Sequence, residues 1–387
     1  MWFYLYCGFL RSTVLVLLVF GLATTTRAEE PNCISRNLGD ILLGDGSKIP
    51  EVSGITRRAP DDVYLISDRT NWLYHARLSG GRWSVDRYGI TDLSKGTGPN
   101  KDGIYDIEDV SYGPCPVKSE GKCIFIGETG GNPYGKKVFK IHYILESDLD
   151  GRRNKFVKTR QIRYRYPEGR KFDAEGLALH PHTGELFVVT KTEGSTSYIY
   201  KVDPRFPERN PTKVVEIDLG QLFKAYNTNA RQITGFEISP DGTQFAIVTY
   251  EALVKFNLDL SRVNHRKLPG NTKSEIFSLL GDWWGKGESL RRIQVEAITY
   301  DGGQSHFLVI GEGRSTLMGL NCPAPIKKPV IPKKPPVPIN DCIELFQYQL
   351  QPYNSDPNFL NGYSRSQKRF CHAPPGQRRK FMKKHSG

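Results

Sequence analysis

The chain has 387 residues, of which 38% are hydrophobic and 25% charged, with a formal net charge of +13. This is ordinary globular composition, and the length is enough to bury a large core. Beyond the N-terminal region no stretch is apolar enough to span a bilayer, which excludes a polytopic membrane protein.

Residues 1–28 read as a secretory signal peptide. Arg11 precedes an apolar run from Val14 to Leu22, and Thr26-Arg27-Ala28 places a small residue before the cut. A signal anchor is the competing reading, but the run is short for a membrane span. The mature chain is therefore expected to be secreted and extracellular, with no transmembrane segment.

After the signal, one pattern recurs. Ser53-Gly54-Ile55, Glu108-Asp109-Val110, Glu175-Gly176-Leu177, Thr234-Gly235-Phe236 and Glu296-Ala297-Ile298 are each followed by a second short apolar run. Between the paired runs lie turns rich in Pro and Gly, such as Pro181-His182-Thr183-Gly184. The middle residues of the triplets stand 55, 67, 59 and 62 residues apart. A repeat of that size with several short strands predicts an all-β fold, a β-propeller over residues 29–322. Two further strands follow each pair, except in the last repeat, which ends after Leu317–Leu320. The missing strand is expected from Ile34–Leu43, so an N-terminal strand closes the ring. Five blades are predicted; a sixth, degenerate blade is the alternative.

Cys7 leaves with the signal, and six cysteines remain. An even number in an oxidising compartment predicts disulfides. Cys115 and Cys123 flank one hairpin tip, ring closure brings Cys33 to Cys322, and Cys342 and Cys371 pair in the tail. No Cys-x-x-Cys spacing supports zinc, and no Asn-x-Ser/Thr acceptor is present.

Residues 323–338 hold seven prolines and four lysines, an extended linker. Residues 339–387 follow as a basic tail, with eight basic residues against three acidic ones. Linker and tail thus carry most of the net charge. A basic tail on an exported chain fits an acidic extracellular partner: a sulfated glycan, an acidic matrix protein or a mineral surface. A solvated, disordered terminus is the plainer reading. Nucleic acid is not an expected partner, because no nucleic-acid module is recognised.

In a propeller, the start of each first strand and the end of each second strand meet at one face of a central channel. First-strand positions supply Ser53, Glu108, Glu175, Thr234 and Glu296. Two residues earlier stand Glu51, Asp106, Asp173, Gln232 and Gln294. Second strands end on Asp68, Glu128, Lys191, Tyr250 and Glu312. Carboxylates gathered in a partly buried site need a cation, a proton or basic partners. A hard cation accepts mixed oxygen ligands, which makes Glu108, Glu175, Glu296, Ser53 and Thr234 the candidate calcium ligands. The competing reading is a structural ring, in which carboxylates accept backbone N–H groups from the next blade and Lys191, Arg69 and Arg314 neutralise the rest.

The first-strand pairs Glu175-Gly176 and Glu296-Ala297 resemble those of calcium-dependent propellers, the phytase-like proteins and the phosphotriesterase–lactonase group. The resemblance spans residues 50–320 and is carried by these short motifs. It implies the fold and a calcium ion in the channel. Two features depart from the enzymes: no histidine is placed toward the channel, and no cluster of lysines and arginines awaits a phosphorylated substrate. The sequence therefore points to an extracellular binding or matrix-associated propeller. A calcium-dependent hydrolase of the phosphoesterase or lactonase type is the alternative, and catalytic residues are not assigned.

Three other features invite functional readings. His180-x-His182 has the look of a metal pair, but it occupies an outer turn on the opposite face. His75 and His142 sit at equivalent third-strand positions and read as structural. Trp283-Trp284 offers an aromatic pair either to a sugar or protein partner or to packing over the channel mouth.

Overall fold

The computed structural model describes residues 33–91, 106–131, 138–191, 194–224, 231–279, 294–311 and 313–323. The signal peptide, most of the Pro/Lys-rich linker, the tail with Cys342 and Cys371, Trp283-Trp284 and Glu312 lie outside the described residues. Among those described, no helix is long and apolar enough to cross a membrane.

Five antiparallel sheets follow one another along the chain and form the five blades of a β-propeller. Blade 1 holds Val52–Ala59, Asp62–Ser67, Trp72–Ser79 and Arg82–Ile90. Blade 2 holds Asp109–Pro114, Lys122–Glu128, Phe139–Leu145 and Arg160–Tyr164. Blade 3 is built from Asp173–Leu179, Leu186–Lys191, Thr196–Val202 and Thr212–Asp218. Blade 4 comprises Ile233–Ile238, Phe245–Thr249, Ala252–Phe256 and Ser274–Ser278. Blade 5 takes Val295–Tyr300, His306–Gly311 and Thr316–Asn321 from the end of the repeat region. Its outer strand is Ile34–Asp40, antiparallel to Thr316–Asn321, so the N-terminal segment closes the ring as predicted. Each inner strand touches the next, and the last touches the first.

The apolar runs are continuous because both faces of each blade are buried. In Leu186–Lys191, Leu186 and Val188 point to the core shared with blade 2, while Phe187 and Val189 point to the core shared with blade 4. Five such cores exist, one between each pair of neighbouring blades. The outer strand of blade 2 shows the alternation expected of an exposed edge: Lys158, Arg160, Arg163 and Arg165 are exposed, Ile162 and Tyr164 buried.

Two edge strands were not legible. Phe156–Val157 pairs in parallel with the outer strand of blade 1, and Arg266–Leu268 with that of blade 3. Each comes from the excursion between the third and outer strands of the following blade. Two or three residues are too few to show a period, yet they cover an open sheet edge.

Both disulfides within the propeller form as the repeat layout required, Cys33–Cys322 and Cys115–Cys123. Cys33–Cys322 spans 289 residues of sequence and locks the closing strand to the last blade.

The recurring triplet has a steric cause. Inner strands approach so closely that a Cβ on Gly54 would lie 2.8 Å from the Cα of Asp109 in blade 2. Gly176 meets Phe236 of blade 4 in the same way, and Gly235 meets Glu296 of blade 5. Overpacking of this kind costs about 1–3 kcal/mol. Gly54→Ala should therefore lower the unfolding free energy by that amount. Gly44→Ala, at a site with nothing within 4 Å, should leave it unchanged. Urea unfolding of the two variants makes the comparison.

Candidate functional site

At the channel mouth the inner strands are irregular. Strand register shifts by one residue between Val52 and Gly54, Ala174 and Gly176, Ile233 and Gly235, and Val295 and Ala297. The residues left out of register are Ser53, Glu175, Thr234 and Glu296, four of the five candidate ligands. A β-bulge re-aims the side chain of its extra residue, so these positions differ from their strand neighbours. Blade 2 has no shift; there Glu108 immediately precedes the inner strand, and its N–H donates to the Gly127 carbonyl at 3.0 Å.

The five residues do not share one role. Ser53 donates its hydroxyl to the Ile107 carbonyl of the next blade at 3.0 Å. Thr234 donates to the Val295 carbonyl at 2.6 Å. Both hydroxyls thus tie one blade to the next. Glu296 accepts from the Gln294 amide at 3.4 Å. Glu108 and Glu175 come together, and they come with Asp173: carboxylate oxygens of these three lie within 4.8 Å of one another. Asp173 was outside the predicted ligand set. The signal for it was spacing, since Asp106/Glu108 and Asp173/Glu175 are two residues apart and residues so spaced share one side of a strand.

The cluster has a basic neighbour. Lys191 is the register partner of Asp173 on the adjacent strand. Its ammonium lies 3.0 Å from Glu175 Oε1 and 5.6 Å from the ring centroid of Tyr250. Asp173 accepts the Gly131 N–H at 2.8 Å. Glu108 is 8% exposed, and its carboxylate has neither a hydrogen-bond nor an ion-pair partner among the described residues. Room for its carboxylate exists only because residue 130 is glycine. A Cβ there would lie 2.1 Å from Glu108 Oε1 and 2.4 Å from Asp106 Oδ1.

These surroundings change the carboxyls. Burial, then the charges of Glu175, Asp106 and Asp173, push Glu108 well above the usual carboxylate range, with Lys191 opposing. Burial raises Glu175 to about 7, while Lys191 pulls it down and Asp173 pushes it up. Burial works against the charged form of Lys191, but Glu175 and Tyr250 outweigh it and raise its pKa. The donor set is entirely carboxylate oxygen, partly compensated by one ammonium. It suits a hard divalent cation and offers nothing to a soft metal.

Other acidic residues near the axis are sealed. Asp109 accepts N–H groups from Leu177 and Val110, each at 2.8 Å. Glu237 accepts from the Ile238 N–H at 3.0 Å and the Thr299 hydroxyl at 3.1 Å. Thr299 in turn accepts the Arg57 N–H at 3.2 Å, so one chain of bonds joins blades 1, 5 and 4. The ring of bonds between blades expected of a structural channel is thus present, but it is made by Asp109, Glu237 and the short hydroxyls. Among the proposed neutralising partners, Lys191 meets Glu175, and Arg69 pairs with Glu51.

The buried histidines lie elsewhere. His75 bonds to Asp62 at 2.6 Å and His142 to Glu128 at 2.9 Å. In the outer turn, His180 bonds to Asp259 at 3.2 Å and His182 donates to the Asp241 carbonyl at 3.2 Å, packing that turn against the equivalent turn of blade 4.

No protein-family model matches the chain, and no curated protein matches it in sequence. Solved structures similar to it include three with low identity. The PQQ-bound form of aldose sugar dehydrogenase from Streptomyces coelicolor is 9% identical, with 75% of this chain and 99% of that chain covered and a TM-score of 0.43. A calcium structure of a Trichoderma reesei carbohydrate-active enzyme of family AA12 is also 9% identical, with 74% and 80% covered and a TM-score of 0.40. A streptogramin B lyase is 12% identical, with 76% and 98% covered and a TM-score of 0.36.

Burial raises Glu237 to about 8, against an ordinary value of 4.5, with its two hydrogen bonds pulling back. Between these pH values the folded chain holds a proton that the unfolded chain releases. The stability from this group is complete below pH 4.5 and is lost as pH rises toward 8. Glu237→Gln, neutral throughout, should remove a slope of up to about 1.4 kcal/mol per pH unit. Unfolding free energies measured at both ends of the window should differ less for the variant than for wild type, the remaining slope coming from Glu108, Asp109 and Glu175.

Proposed function

We propose that the protein is a secreted, extracellular binding propeller, matrix-associated, whose channel cluster takes a calcium ion. The observation that carries this reading is the buried, unpartnered carboxylate of Glu108 facing Asp173 and Glu175. A charge so placed lacks the stabilisation it needs, and a divalent cation would supply it. Glu108, Asp173 and Glu175 would hold the ion, with Asp106 beside them. Lys191 would keep the rest of the site near neutrality. The two disulfides support an oxidising compartment, as the signal-like N-terminus does. The basic tail is the proposed anchor to an acidic extracellular partner.

A binding role is favoured over hydrolysis because the buried histidines His75, His142 and His180 are each committed to another carboxylate. The cluster itself pairs acids with an ammonium and supplies no base–nucleophile pair.

Metal-stripped protein should melt at a higher temperature with each calcium addition, and chelator should reverse the gain. Glu108→Gln and Glu175→Gln should weaken the response, whereas Glu275→Gln, in a buried pair with Lys255, should not. A flat melting curve across the titration would refute the cation site. Chelator-sensitive turnover of an ester, lactone or phosphoester, lost in Glu175→Gln, would refute the binding-only reading.

A further inference from the structure

A second charged feature lies on the rim of the propeller, away from the acidic cluster. Residues 152–165 contain seven basic residues and no acidic one, and all seven are exposed. Two are neutralised: Arg153 pairs with Asp86, and Arg160 with Glu120. Arg152, Lys155, Lys158, Arg163 and Arg165 have no ion pair among the described residues.

The segment is held rigidly. Phe156–Val157 joins the outer edge of blade 1, and Arg160–Tyr164 forms the outer edge of blade 2, so the basic run straps two blades together. Backbone bonds fix it further, with the Gly89 N–H donating to the Lys155 carbonyl at 2.8 Å. Like charges fixed along such a strap repel one another until an anion neutralises them. Fixing them in advance lowers the ordering cost for a ligand that spans several.

At one end the strap becomes a groove of about 160 Å³, lined by Val138, Arg163, Tyr164, Arg165, Glu208 and Asn210. Arg163 lies in the outer strand and Arg165 one residue past its end, two residues of chain that span roughly 7 Å when extended. The Arg163 N–H donates to the Pro207 carbonyl at 2.8 Å, which pins the loop carrying Glu208 and Asn210 against it. That loop also presents Phe206, 53% exposed.

We propose that this strap and groove bind a sulfated glycan chain. The two guanidinium groups match sulfo and carboxylate oxygens. Glu208 and Asn210 can accept hydrogen bonds from sugar hydroxyls, and Phe206, with the Arg209 guanidinium 5.3 Å from its ring centroid, has the opposite face for a sugar ring. A polyphosphate has anionic oxygens but no hydroxyls along its chain and gains nothing from Glu208. The long arginine and lysine run suits an extended polyanion better than a small anion. This site is separate from the channel cluster and stands whether or not that cluster binds calcium.

Heparin is the probe, used with the full-length chain in the presence of chelator so that the channel site plays no part. Affinity is measured by calorimetry over a salt series, with inorganic polyphosphate in parallel. Arg163→Gln/Arg165→Gln should weaken heparin binding at least about tenfold near 0.15 M salt and lower the slope of log affinity against log salt by one to two. Lys155→Gln/Lys158→Gln, farther along the strap, should lower the slope similarly. Glu208→Gln should narrow the preference for heparin over polyphosphate. Because all these side chains are exposed, melting temperatures should match wild type. Unchanged affinity and slope in both double variants would move glycan binding off the strap and overturn the proposal. So would polyphosphate binding to wild type as tightly as heparin, which would leave a general polyanion surface.

Discussion

Five inner strands meet around one axis, and there is too little space between them for ordinary side chains. That crowding governs much else. Where one strand passes another at van der Waals distance, glycine is required, as at Gly54, Gly176 and Gly235. Where strand ends bury polar backbone groups, those groups must find partners. They find them in short side chains of the neighbouring blade: Ser53 on Ile107, Thr129 on Ala174, Ser111 on Leu179 and Thr234 on Val295. The apolar cores lie farther out, one per junction, and fill the space that opens as the blades diverge.

The same crowding divides the acidic residues into two kinds. Asp109 and Glu237 are enclosed and bonded to backbone or hydroxyl donors, and both are pushed toward the protonated form by burial. They serve the closure of the ring. Glu175 sits at a bulge, with Asp173 two residues before it and Glu108 at the mouth of the neighbouring blade, and there like charges face one another with the Lys191 ammonium beside them. Neighbouring positions in one repeat thus have different chemistry, because one side chain meets a donor and the next meets another acid.

The sequence carried the fold well, since its signal was both steric and periodic. The recurring triplet marked each inner strand, with a small central residue in every blade but the second, where it is Asp109, and the absence of a fourth strand after Leu320 demanded a donor from the N-terminus. Ile34–Asp40 supplies it. The cysteine pairs Cys33–Cys322 and Cys115–Cys123 followed from the same layout. The site was only partly legible. Equivalent positions in a repeat point to one axis, but a one-residue bulge decides which groups meet, and nothing in a triplet distinguishes Ser53, bonded to a carbonyl, from Glu108, unpartnered. Asp173 was signalled only by its spacing from Glu175, and that it meets Glu108 of the neighbouring blade is a contact that composition does not reveal. The basic strap at residues 152–165 was visible as a charge run. Its meaning needed the fold, which turns a stretch of loop and strand into a fixed rim.

Closure by the N-terminal strand also sets an order of events. Ile34–Asp40 is synthesised before any of the five repeats, yet its partner Thr316–Asn321 is the last described strand to emerge. During synthesis the early segment has no native neighbour, and blade 1 lacks the blade-5 side chains that bury its outward face. The first four blades can pair internally as hairpins, and their edge pairings reach only to the following blade; closure spans the whole ring. Cys33 waits with that strand as a free thiol until Cys322 arrives. An oxidant that acts too early finds Cys115 and Cys123, eight residues apart and ready, while the remaining thiol can still choose a wrong partner. A chain cut short anywhere before the last blade is left as an open arc with an unsatisfied face at each end, so the ring makes completeness of the polypeptide a condition of burying its cores.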